Sequence, residues 1–161
     1  SLHDALPICI LAVLIGASAA AQVENTDASG VTDAAGQQEK IKVLLANVAA
    51  ATTDLDHKRL ASLFLPPDDT EAGVARRKLL GEYERSWPTV KKMRQERNIA
   101  AVVVSYSDIK VSIKDKTAVV DTIMTCRRGQ IPTASSPYKF MLSLTSTGWK
   151  VASMKRIIQV K

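Results

Sequence analysis

Ile41, Leu44, Leu45 and Val48 stand at i, i+3, i+4 and i+7, the spacing that lays an apolar stripe along one helix face. Ala46, Ala49, Ala50 and Ala51 add intrinsic propensity, and the pattern predicts a first helix over about 35–52. Asp54 or Asp56 can cap a second helix carrying Leu60, Leu63 and Phe64, which Pro66-Pro67 ends. Asp68-Asp69-Thr70 offers the next cap. Leu79, Leu80, Tyr83 and Trp87 mark the inner face of a third helix, which Pro88 is expected to kink or interrupt before it continues to about 97.

Past Asn98 the periodicity changes from helical to alternating. Residues 99–106 and 108–113 are rich in β-branched side chains and predict one long strand or two with a bulge. Lys114-Asp115-Lys116 reads as a turn. Over 117–128, Ala118, Val120, Thr122, Met124 and Cys126 fall on one face, with Val119, Asp121, Ile123, Thr125 and Arg127 on the other. A loop is expected over Gly129–Pro137, then a strand with Tyr138, Phe140, Leu142 and Leu144 on one face. Ser146-Thr147-Gly148 turns the chain into a last strand containing Trp149, Val151 and later Ile157, Ile158 and Val160. Helices followed by an antiparallel meander define an α+β class, three N-terminal helices packed on a curved antiparallel sheet.

The segment before the first helix has a different character. Residues 1–8 (SLHDALPI) resemble the translation of a common sequencing adapter and are set aside from the fold. Residues 9–21 read as the remnant of a signal peptide, an apolar run followed by Ala-x-Ala at 17/19 and 19/21. The run is shorter than the ~20 residues a membrane span requires, so no stable membrane anchor is expected. Residues 22–37 are small, polar and acidic, as in a flexible stalk, which leaves 38–161 for the domain. The expected location is secreted or periplasmic.

Composition narrows the chemistry. The 161 residues suit one domain, and two Cys and two His are too few for a Cys/His zinc framework, a disulfide scaffold or a haem-attachment motif. No metal or cofactor is expected. The formal charge of +6 is unevenly spread: net −5 over 22–71, +5 over 76–97 and +7 over 127–161. Arg76, Arg77, Lys78, Lys91 and Lys92 are therefore candidates for a basic surface, which after export could meet anionic envelope polymers. With only 4% aromatics to stack between the cations, nucleic acid is not an expected partner.

The segments IKVLLANVAAATTDLDHKRLASLF, DIKVSIKDKTAVVDT and KFMLSLTSTGWKVASM together resemble the nuclear transport factor 2-like superfamily, particularly its SnoaL-like and ketosteroid-isomerase-like bacterial members. The resemblance spans roughly 38–161. It implies a cone-shaped half-barrel whose open end often holds a pocket, and a homodimer formed through the sheet. The isomerases of that superfamily need a carboxylate base and hydrogen-bond donors in an apolar pocket. The first-helix stripe holds no Tyr, and Asp121 alternates away from Met124, so that catalytic pair finds no place on this chain. His57 between Asp56 and Lys58 reads as a surface or capping residue, Asp54 and Asp56 as caps, and Cys126 as buried beside Val120 and Met124, with pairing between chains left open.

These observations favour an exported, non-catalytic domain that binds a small apolar ligand or a protein partner. The ligand-pocket candidates are Phe64, Tyr83, Trp87, Met124, Phe140, Leu142 and Trp149, each of which could instead fill the core. A SnoaL-like or isomerase-like enzyme acting on a small hydrophobic substrate is the alternative, and a module binding anionic envelope polymers is the second.

Overall fold

The computed structural model describes residues 31–158. The adapter-like and leader-like segments and Val160 lie outside them. Three helices, α1 (Val31–Thr53), α2 (His57–Leu63) and α3 (Glu71–Glu96), precede four strands, β1 (Val102–Lys114), β2 (Thr117–Arg128), β3 (Ile131–Thr145) and β4 (Gly148–Arg156). The strands form one antiparallel sheet in the order β1-β2-β3-β4. Among the described residues no helix is long and apolar enough to cross a membrane.

Helix α1 begins at Val31, inside the segment expected to be a stalk. A tertiary contact that the local polarity does not reveal ties this end down: the Trp149 indole Nε1 donates to Gln37 Oε1 at 2.8 Å. The predicted stripe is buried in full, with Ile41, Leu45 and Val48 at 0% exposure. Asp56 caps α2 by accepting from the Arg59 amide at 2.9 Å, with His57 as the half-buried first helical residue. Thr70 caps α3 by accepting from the Gly73 amide at 3.0 Å.

Helix α3 runs through Pro88 to Glu96; of the two outcomes expected there, kink or interruption, the interruption does not occur. Proline deprives the carbonyl four residues earlier of its partner. Here that residue is Glu84, and both Glu84 and Pro88 are exposed, so water can serve the orphaned carbonyl. Tyr83 and Trp87, on the opposite face, remain buried with their rings stacked at 4.4 Å.

In the sheet, β1 is a single strand with a register shift between Ser107 and Lys110, where Asp108 takes φ 51°. The buried Thr122 hydroxyl donates to the Ser107 carbonyl at 2.6 Å and so satisfies an acceptor freed by the bulge. The predicted alternation of β2 holds along its length, with Ala118, Val120, Thr122, Met124 and Cys126 buried.

The expected loop over Gly129–Pro137 is instead mostly strand, since β3 starts at Ile131 after a turn in which Gly129 takes φ 60°. Its prolines argued for a loop, yet each sits where a missing N–H costs little. Pro132 stands opposite Arg127 at the register shift between Cys126 and Arg127, where the ladder is already irregular. Pro137 directs its carbonyl to Ile157 N at 2.8 Å, so its absent N–H also faces that side and not β2. Strand β4 ends at Arg156, before Ile157 and Ile158, and Ile158 is 70% exposed. The far edge of β4 is covered by the end of α2, where Leu65 N donates to Val151 O at 2.8 Å and Phe64 bridges Val151.

The core lies between the helices and the inner sheet face. It joins the α1 stripe, Leu60, Phe64, Leu79, Tyr83 and Trp87 to Val102, Val104, Val120, Tyr138, Phe140, Leu142 and Val151.

Candidate functional site

Helix α1 lies along β1, and the two leave a groove of about 450 Å³ between them. Its walls are mainly apolar: Leu45, Ala46, Ala49 and Ala50 on the helix side, Val103, Val104, Tyr106 and Ile109 on the strand side. The small helix residues open the space, and the β1 bulge falls beside Tyr106 and Ile109. At one end the Thr53 hydroxyl accepts from the Val104 amide at 2.9 Å, pinning the helix terminus to the strand. Lys42 and Asp54 supply the charged rim, and Asp54 is engaged by Arg59 at 3.7 Å.

Tyr106 links the groove to the interior. Its ring meets Phe140 edge-on, with centroids 5.3 Å apart. Burial pushes the Tyr106 phenol well above its ordinary pKa, and the neighbouring phenols of Tyr83 and Tyr138 push it the same way. Tyr83 is raised by burial and by Tyr138 and Glu82, and Tyr138 by burial, partly offset by Arg156. Three phenols from α3, β1 and β3 thus stay protonated at neutral pH. The Tyr138 hydroxyl is buried without a hydrogen-bond partner. Such a group can donate to an acceptor and cannot serve as a base. Buried polar residues among those described are Arg76, Thr122 and Ser136, and no carboxylate is among them.

All seven sequence-predicted pocket residues, Phe64, Tyr83, Trp87, Met124, Phe140, Leu142 and Trp149, are buried at 7% exposure or less. They meet in the core, and none of them lines the groove. Tyr106 and the small α1 face were missed. The clue was present in the alanines beside the Leu45 stripe, which cannot fill the space a larger side chain would. Asp121 points outward and pairs with Lys139 at 3.5 Å.

The basic surface needs one correction. Arg76 is interior, 4% exposed. Its guanidinium donates to Ala152 O at 2.8 Å and Pro66 O at 3.0 Å and lies 3.4 Å from Asp68. Arg77, Lys78, Lys91 and Lys92 are exposed, with Arg77 near Asp69 at 3.7 Å and Lys92 near Glu96 at 3.8 Å. Among the described residues no group of three or more His, Cys, Asp or Glu side chains could hold a metal ion.

Three helices on one face of an open, bulged antiparallel sheet define an α+β half-barrel with a lateral groove. Solved structures with this arrangement place it: the chain has the nuclear transport factor 2-like fold. A nuclear transport factor 2-like protein with a cystatin-like fold from Novosphingobium aromaticivorans superposes with a TM-score of 0.57 at 12% identity, over 80% of this chain and 85% of that one. A candidate dehydratase of the same family from Streptomyces avermitilis gives 0.53 at 18% identity, over 78% and 99%. A candidate aromatic ring hydroxylase from Novosphingobium aromaticivorans gives 0.53 at 12% identity, over 78% and 92%. No family model matches the sequence, and no curated protein matches it.

Proposed function

We propose that this chain is an exported, non-catalytic binding domain whose α1–β1 groove takes a small, largely apolar ligand carrying a hydrogen-bond acceptor. The observation that carries this reading is the apolar groove beside Tyr106, at the edge of an interior whose phenols remain protonated and whose Tyr138 hydroxyl is unpartnered. The volume falls within the ~300–1,000 Å³ range of small-molecule sites. An isomerase-like or dehydratase-like reaction would require a base near the ligand. Asp54, the carboxylate on the groove's rim, is 61% exposed and held by Arg59, which favours binding over catalysis.

A neutral dye separates this reading from charge effects. Nile red should bind the wild-type protein saturably, and Ala46→Phe or Ala50→Phe, which fill the groove from its helix wall, should weaken binding by about tenfold or more. Absence of saturable binding, or equal binding by both variants, would overturn it.

The same proposal includes a homodimer through the outer sheet face. That face carries Met141 at 40% exposure, with Val119 opposite Met141 and Ile123 opposite Pro137. Sedimentation should show a dimer that Met141→Lys converts to monomer, and a wild-type monomer at high concentration would remove this part.

A further inference from the structure

The two edges of the sheet are closed in different ways. Along β4, Leu65 N donates to Val151 O at 2.8 Å and Phe64 bridges Val151, so backbone meets backbone. Along the outer edge of β1 from Val102 to Tyr106, one hydrogen bond is formed among the described residues. It runs from the Val104 amide to the Thr53 hydroxyl at 2.9 Å.

That bond fixes which backbone groups face outward. In an antiparallel strand the N–H and C=O of one residue point to the same side, and successive residues alternate. Val104 turns its amide toward α1, whereas the Ser107 carbonyl is met from β2 by the Thr122 hydroxyl at 2.6 Å. Tyr106 therefore faces outward with both its N–H and its C=O, as does the Val104 carbonyl. These three groups have no hydrogen-bond partner among the described residues.

They open into the α1–β1 groove. Val104 is buried on the inner face of the strand beside Tyr106, while Val103 and Ser105 are exposed, yet all four line the same space. Alternate residues belong to opposite faces, so a space that touches both sets lies along the strand's edge. Opposite stand Leu45, Ala46, Ala49 and Ala50, none with a side chain that can hydrogen-bond. The helix wall runs from Lys42 to Asp54, about 18 Å at ~1.5 Å per residue. An extended chain of about five residues covers that length.

A wholly apolar occupant would strip three backbone groups of water and leave them unpaired. An added strand supplies a donor and acceptors at the period the edge requires. The charges at the ends of the helix wall are already answered within the chain, Lys42 by Glu39 at 2.7 Å and Asp54 by Arg59 at 3.7 Å. The centre of the occupant is therefore neutral.

We propose that the groove receives an extended, uncharged peptide segment of a partner protein, which pairs with the β1 edge at Val104 and Tyr106 and sets alternate apolar side chains against α1. This names the ligand class of the groove and rests on the reading of that groove as a binding site.

Calorimetric titration with the blocked pentapeptide acetyl-Thr-Val-Thr-Val-Thr-amide tests it, beside the same peptide N-methylated at its three central residues. The two carry the same side chains and differ in their capacity to pair with a strand. The first should bind saturably, and the second about tenfold or more weakly. Ala50→Phe, with folding checked by circular dichroism, should weaken binding of the first by a similar factor. Hydrogen exchange locates the contact without any substitution. In the protein alone the Tyr106 amide should exchange faster than those of Ser105 and Ser107, which face β2, and bound peptide should slow it about tenfold or more. Equal binding of the two peptides, or exchange at Tyr106 that the peptide leaves unchanged, overturns the proposal. So does a dimer in sedimentation that protects the same amide without peptide, since the edge would then belong to a second copy. Nile red binding without peptide binding would remove the peptide and leave the groove a small-molecule site. Failure of both would remove the two readings together.

Discussion

The two ends of α3 treat arginine in opposite ways. At the first end Arg76 is almost fully enclosed; its two terminal nitrogens donate to two backbone carbonyls, with Asp68 beside it, and its buried Nε alone lacks a partner. At the other, Arg94 and Arg128 are both half-buried, and the buried Nε and Nη2 of Arg128 have no hydrogen-bond partner. Burial alone therefore does not identify a cation that joins parts of the fold. The degree of satisfaction differs: both terminal nitrogens of Arg76 reach backbone acceptors, whereas Arg128 keeps two buried nitrogens without one. Arg76 joins α3 to the Pro66 segment and to β4, two regions far apart in sequence.

The largest effect is expected from Arg76→Met. It should cost about 3 kcal/mol, since it strands two interior carbonyls and an acid that faced a cation. Urea denaturation measures it, and a loss below about 1 kcal/mol would show that Arg76 is not the tie described. Gly73→Ala should follow at about 2 kcal/mol, because an added Cβ would lie 2.5 Å from the Asp68 carbonyl oxygen and 2.7 Å from its nitrogen. That substitution pushes away the loop carrying Asp68 and so weakens the same end indirectly. Arg128→Met, by contrast, should change stability by no more than about 1 kcal/mol and in the favourable direction. Equal losses for Arg76→Met and Arg128→Met would erase the distinction between the two ends.

The smallest effect concerns pH. Asp68 is held below its ordinary pKa of 3.8 chiefly by the Thr70 hydroxyl, with the Thr70 amide and Arg76 acting in the same direction against a desolvation cost. A carboxyl whose folded pKa is depressed contributes stability above its unfolded pKa and loses it as pH falls from there through the folded value. Acid unfolding below about pH 4 should therefore be steeper in the wild type than in Asp68→Asn. Identical acid limbs would show that Asp68 does not favour its charged form.

How legible this was from sequence depended on the range of the interactions involved. The α1 stripe, both helix caps and the β2 alternation follow from local periodicity, and the residues named for them occupy those places. The interior position of Arg76 could not be read that way. One of its acceptors, Ala152 O, lies 76 residues away, and an arginine at the head of the basic run Arg76-Arg77-Lys78 gives no sign of it. The start of β3 was hidden because proline reads as a breaker unless the pairing partner on each side is known. The groove went unnoticed for a different reason: it is made by small residues on α1 and by a bulge in β1, that is, by volume left empty. Core aromatics announce themselves through periodicity, whereas an opening beside them does not.

One contact at the opposite side of the fold bears on where the domain begins. The Trp149 indole reaches back 112 residues to Gln37, within the second turn of α1. A chain shortened to start at residue 38 would take away the acceptor and two turns of helix together. The indole at position 149 is thus a built-in optical reporter for the entry of the polypeptide into the domain. Its emission would register fraying of that first segment, while Trp87, stacked on Tyr83, would report separately on α3.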